Sequence, residues 1–163
     1  MDAKQALRLW MSQAENIVDD YLKDLSDAEL LVRPLPATNH IAWQLGHLIQ
    51  GEHEMIEMLS PGSMPKLPAG FEQKHSKDTA GSNDPQAFLT KDEYVRLQKE
   101  QRAGTLTVLE KIGADDLSKP GPEAMRSYFP TVADILGGQA THWLIHAGQW
   151  AIVRRKLGRK PMY

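Results

Sequence analysis

ILGGQATHWLIHAGQWAIV, residues 135–153, carries no formal charge at any position. An uncharged helix of that length reaches across a bilayer, which takes about 20 residues. Gln139, Thr141, His142, His146 and Gln149 argue against a membrane, because such side chains are costly in hydrocarbon. The stretch reads instead as one helix of a bundle, enclosed by its neighbours. Ile135, Gln139, His142, His146, Gln149 and Val153 recur by steps of four and three, so they share one seam. Four consecutive seam positions are polar amid Leu136, Trp143 and Trp150. A buried polar cluster costs several kcal/mol (roughly, per unsatisfied group) unless something satisfies it.

Outward from this helix the same period returns three times. Thr131 to Asp134 starts the last helix, which runs to about Leu157, and Gly158 and Pro161 stop it. Arg154, Arg155 and Lys156 at its end read as capping and solvation. Thr90-Lys91-Asp92-Glu93 is a capping box opening a third helix, with a face of Tyr94, Leu97, Gln101, Thr105, Val108 or Leu109, and Ile112. Thr38 and Asn39 are N-cap residues for a second helix to about Leu59. The first segment, Asp2 to Leu25, has a seam of Leu7, Trp10, Ala14, Ile17 and Tyr21, on a face that Met11, Val18, Leu22 and Leu25 widen. Ser26-Asp27-Ala28-Glu29 caps a short turn that Pro34 and Pro36 end. Two stretches show no lasting period, Pro61 to Phe88 and Asp115 to Pro130. A loop as long as the first is usually functional or mobile. The expectation is an all-α four-helix bundle with long connecting loops, one domain over residues 1–163.

Composition narrows the function. With 19 Lys+Arg against 21 Asp+Glu the formal charge is −2, so no field recommends nucleic acid or an anionic membrane. There are no cysteines, hence no disulfide, thiolate ligand or cysteine nucleophile on the chain. The start, Met-Asp-Ala-Lys-Gln, has no apolar core of a secretory signal, and a cytoplasmic location is expected.

Six histidines are present. His142 and His146 lie one turn apart on one face, close enough for two imidazoles to reach one ion at the ~2.0–2.1 Å of a zinc–nitrogen bond. The same spacing also occurs in hydrogen-bonded pairs with no metal. A third ligand would come from the second helix, where His40, Trp43, His47, Gln50 and Glu54 share a side and His47 is mid-helix. That side lies roughly 130° from the apolar stripe of Ile41, Leu45, Leu48, Met55, Ile56 and Leu59. An interior His47 therefore requires the helix to be covered twice, by the bundle and by the long loop or a second subunit. His40 reads as a terminus residue, His53 as exposed, and His75 in the 61–88 loop as an extra ligand, a proton carrier or a bystander.

Asn39-His40-Ile41-Ala42-Trp43-Gln44-Leu45-Gly46-His47-Leu48 resembles the second-helix signature of the DinB/YfiT-like proteins. Thr141-His142-Trp143-Leu144-Ile145-His146-Ala147-Gly148-Gln149, followed by Arg154-Arg155 and Leu157-Gly158, resembles their last-helix signature. Order and spacing agree over nearly the whole chain. The resemblance implies a four-helix bundle holding one divalent metal on three histidines, here His47, His142 and His146. Zinc or nickel is expected, with manganese or iron as alternatives. Trp43 and Trp143 are expected to wall the pocket or to serve as plain core, and Gln139 and Gln149 to orient ligands or meet substrate. Relatives that transfer low-molecular-weight thiols with a metal make a transferase the first expectation. A metal-dependent hydrolase and a non-catalytic metal-binding or interaction module are the alternatives. A two-sided second helix and the apolar seam of the first suggest a homodimer.

Overall fold

The computed structural model describes residues 1–162. Four long helices carry the fold: α1 (Ala3–Leu22), α2 (Ile41–Leu59), α3 (Lys91–Lys111) and α4 (Val132–Lys156). Single helical turns punctuate the connections at Asp27–Leu30, Phe71–Lys74, Lys77–Thr79, Pro85–Ala87, Ala114–Ser118 and Glu123–Met125. Among the described residues there is no strand, only an isolated bridge between Pro120 and Thr131. Among the described residues no helix is long and apolar enough to cross a membrane.

The side-chain pairs fix the directions. Leu7 meets Gly137 near both N-termini, and Arg154 bonds Tyr21 O near both C-termini, so α1 and α4 are parallel. Lys4 bonds the carbonyls of Glu110 and Ile112, which sets α3 antiparallel to α1. Gln44 meets Trp150 and Gln139 meets Met55, which sets α2 antiparallel to α4. The order is up, down, down, up. Because α2 and α3 run the same way, the chain must return about 30 Å between them (some 20 residues at ~1.5 Å each). That return is the long unpatterned stretch after Ser60.

Two apolar clusters stack along the bundle. One gathers around Val18, Leu45, Leu97, Trp143 and Trp150, the other around Met11, Ile56, Leu109 and Leu136. Between them lies a buried polar layer. Glu52 on α2 accepts from Thr105 Oγ1 at 2.7 Å and Trp143 Nε1 at 2.9 Å, and pairs with Arg102 at 3.1 Å. Glu52 and Arg102 are 1% and 2% exposed, so removing one partner strands a charge and costs about 3–5 kcal/mol.

Three local expectations are corrected. The α1 seam runs through Met11, Ala14, Val18 and Leu22, leaving Trp10 61% exposed. The buried line thus follows the residues expected to widen the face, and its centre is one position round from the expected seam, where α1 packs chiefly on α4. The N-cap of α2 is His40, whose Nδ1 accepts from Trp43 N at 3.1 Å. Thr38 is unavailable, since its hydroxyl closes a turn on Leu35 O. Arg154 also departs from a solvated cap: it is 4% exposed and ion-paired with Asp24.

The 61–90 connection is strapped onto α2. His75 is buried, with Nδ1 2.8 Å from Phe71 O and Nε2 2.7 Å from Tyr94 Oη. A carbonyl can only accept, so Nδ1 carries the proton and Tyr94 donates to Nε2. The imidazole lies flat on Gly46, where a Cβ would stand 2.0 Å from His75 Cδ2. Arg33 pins the far end through the carbonyls of Thr38, Ala80 and Ser82. His40 Nε2 donates to Ser82 O at 3.1 Å.

Gly46→Ala therefore reverses the usual sign. Alanine normally gains up to ~1 kcal/mol over glycine in a helix. Here the clash should cost ~2 kcal/mol, lower Tm by about 4–8 °C and open residues 61–90 to limited proteolysis. An unchanged or raised Tm would refute the strap. Burial also pushes the pKa of His40 and His75 down to about 4, from an ordinary 6.5. The unfolded chain then binds more protons between these values, so stability is full above about pH 6.5 and declines toward pH 4. Urea denaturation should show this slope, and His75→Gln should reduce it.

Candidate metal centre

The three histidines expected to act together do converge. His47 on α2 and His142 and His146 on α4 each present a ring nitrogen, all within 4.8 Å of one another. The ring centroids lie 5.1–5.5 Å apart, and no carboxylate belongs to the group. All three rings are half-buried. Burial, and then the neighbouring imidazoles, pushes the pKa of His142 and His146 down to about 4. Burial lowers that of His47 as well, partly offset by the Glu54 carboxylate. Three neutral imidazoles with free lone pairs are the form that ligates a cation.

The tautomer of His146 is set by its neighbour. Gln44 is buried, and its Nε2 donates to Asn39 O at 2.8 Å, which fixes the orientation of the amide. Gln44 Oε1 then accepts twice, from Trp150 Nε1 at 2.8 Å and from His146 Nδ1 at 2.8 Å. Indole N–H only donates, so that oxygen is the acceptor and Nδ1 of His146 must hold the proton. Nε2 is left with its lone pair. The role expected of Gln139 and Gln149 is thus filled by Gln44. Gln139 bonds Ile135 O and Met55 Sδ, and Gln149 is exposed. No hydrogen bond joins either to a histidine of the group among the described residues. Gln44 could have been found in sequence: it is a polar residue at 41–49, a run otherwise apolar apart from His47.

Trp43 stacks on His47, with centroids 5.2 Å apart and planes within 7°. Its Nε1 donates to Ser76 O at 2.9 Å, so the strap holds the indole against the imidazole. Trp143 is core instead, spending its N–H on Glu52. The ring of His142 lies over Gly51. The second cover of α2 is thus the long loop. His53 is half-buried, not exposed, because its Nδ1 bonds Gln101 Oε1 at 3.0 Å. His75 stands apart from the group with both nitrogens engaged. On the His47 side of α2 a cavity of about 390 Å³ opens between Gln50, His53 and Glu54 and the loop residues Lys66, Phe71 and Glu72.

Imidazole ¹⁵N shifts at pH 7 should show His146 protonated at Nδ1, and Gln44→Leu should remove that bias. An Nε2-protonated His146 in the unaltered protein would contradict this hydrogen-bond scheme.

Residues 11–150 match the DinB superfamily. A search of curated proteins returned no match. Among solved structures, a conserved protein from Enterococcus faecalis is similar in fold, with a TM-score of 0.68 at 15% identity, covering 98% of this chain and 99% of that one. With a matched region spanning most of its length and the fold to go with it, this chain belongs to the DinB superfamily.

Proposed function

We propose that the protein is a metal-dependent enzyme that holds one divalent ion on His47, His142 and His146 and transfers a low-molecular-weight thiol to an electrophile. The observation that carries this is a convergent set of three neutral imidazoles with no fourth protein ligand among the described residues. Closed four-ligand sets are structural, whereas a three-ligand set leaves a position for substrate. The residues fit the ion: all three donors are nitrogens, burial keeps them unprotonated, and Gln44 directs the lone pair of His146. A divalent ion there supplies Lewis acidity, which favours thiolate over thiol near neutral pH. Zinc and nickel suit imidazole best, and manganese or iron would bind more weakly or with more oxygen.

The chain's own part is to position and to exclude. Without cysteine it offers no sulfur, so the nucleophile comes from solution. Trp43, fixed by Ser76 O, covers one face of His47 and keeps water from that side. Gln50, Glu54 and Lys66 give the cavity on the same side of α2 polar walls, where the body of a hydrophilic thiol would lie. Glu54 also supports a second reading, metal-dependent hydrolysis, since a carboxylate beside the site can take a proton from water. We further read the protein as a homodimer, from the exposed Leu9 and Trp10 of α1.

Purified protein should carry or take up about one Zn²⁺ or Ni²⁺ per chain. His142→Ala or His146→Ala should abolish tight binding, and Gln44→Leu should weaken it ~10–100-fold. His53→Ala should leave it unchanged. The loaded protein should conjugate small thiols to a chloro-dinitro-arene faster than its His146→Ala variant. Metal uptake with equal rates for every thiol would remove the transferase reading and leave hydrolysis or a binding role. Failure to load any divalent ion would remove the site.

A further inference from the structure

The outward side of the parallel pair α1 and α4 is unlike the rest of the surface. On α4 the exposed positions Thr141, Ile145, Gly148, Gln149 and Ile152 form one uncharged stripe. Ile145 and Ile152 are 59% and 53% exposed. Beside it on α1, Ala3, Ala6, Trp10, Gln13 and Ile17 share a face that is also uncharged. A quarter of this chain is charged, so ten such positions without one charge form a distinct surface. Tyr128, 84% exposed, stands at its end. An open groove of about 570 Å³ lies along it, walled by Leu7, Trp10, Phe129, Gly137 and Leu144. A helix with no charge on any side over residues 135–153 belongs in surroundings that enclose it, yet one chain encloses α4 on its inner sides only. Gly148 makes the same point, because glycine in mid-helix costs ~1 kcal/mol against alanine. Among the described residues beyond its own helical turn, nothing lies within 4 Å of the Cβ it lacks.

We propose that this face is the homodimer interface, with two α4 helices packed antiparallel across a two-fold axis at Ile145. The occupant is a second copy because the charges at the ends of the stripe complement one another under that symmetry. Asp134 is exposed at one end, and Arg155 and Lys156 are exposed at the other. With Ile145 on the axis, Asp134 of each chain faces the basic end of its partner. A parallel pairing would set like against like. The same symmetry brings Ile152 of each chain toward the other's groove beside Phe129, whose ring covers Gly138. Gly148 comes close to the partner backbone, which accounts for its missing side chain. Two helices side by side give a face about 20 Å by 30 Å, of order 600 Å² in outline. That is the scale of the ~800 Å² per partner that stable dimers bury. This inference rests on the homodimer reading and adds its surface and orientation. It is independent of the metal and of the reaction.

Light scattering and sedimentation at micromolar concentration should give twice the 18.3 kDa chain mass. Ile145→Arg places two like charges at the axis and should give a monomer with unchanged helical circular dichroism. Met58→Arg, at an exposed apolar residue away from this face, should remain dimeric. Because the chain has no cysteine, Ile145→Cys gives a second readout that does not depend on tolerating a charge. Under mild oxidation or with a short bis-maleimide it should cross-link to a dimer, whereas Met58→Cys should not. A monomeric unaltered protein would overturn both this inference and the homodimer reading. A dimer that survives Ile145→Arg and does not cross-link through Ile145→Cys would overturn this face alone.

Discussion

Glu52 is where three of the four helices meet. Its two oxygens take the hydroxyl of Thr105 and the indole of Trp143, and its charge is matched by Arg102. Each of these groups is nearly excluded from water. An apolar contact tolerates sliding, but a buried carboxylate with directional donors does not, since any shift leaves a polar atom unpaired. The layer therefore sets the relative heights of α2, α3 and α4. Those heights decide whether His47, one turn and a half before Glu52, arrives opposite His142 and His146. Trp143 links the two levels directly: its ring is core, its N–H belongs to Glu52, and its sequence neighbour is His142.

The same logic repeats one layer up, with neutral groups. Gln44 takes two N–H donors on one oxygen and gives its own amide to Asn39 O. Orientation of the amide thereby decides a tautomer on another helix. This is what separates a histidine cluster able to hold a cation from three imidazoles that merely share a pocket. Trp43 adds a rigid wall whose own N–H is tied to the strap, so the site is braced from the bundle side and from the loop side alike.

How far the chain could be read beforehand follows from the range of each signal. The helix starts at Thr90 and Thr131 were legible because a capping box is complete within four residues, and both form as written. His142 and His146 were legible for the same reason, one turn apart on one helix. His47 needed the family resemblance, because its distance from the apolar stripe of α2 is explained only by a loop that covers the other side. That loop is held by His75 on Gly46 and by Arg33 on three carbonyls, contacts that no local pattern encodes. Glu52 and Arg102 were missed, although a charge four residues from Leu48 and from Ile56 on one stripe is a readable anomaly. The seam of α1 went wrong at Trp10 for a related reason. Periodicity locates an apolar face but does not say whether its own chain covers it.

That last distinction bears on α4. Its three sides do three things: Ile135, Leu136, Trp143 and Trp150 fill the core, His142 and His146 face α2, and Ile145 and Ile152 look outward. A helix asked to serve one side can be charged on the others, and α1 and α3 are. A helix engaged on more sides has less room for charge, and residues 135–153 carry none. The absence of charge there goes with the neighbours that α4 has within its own chain. Inside the chain those neighbours account for two of its three sides, and the polar seam that rules out hydrocarbon is the side on which the imidazoles stand.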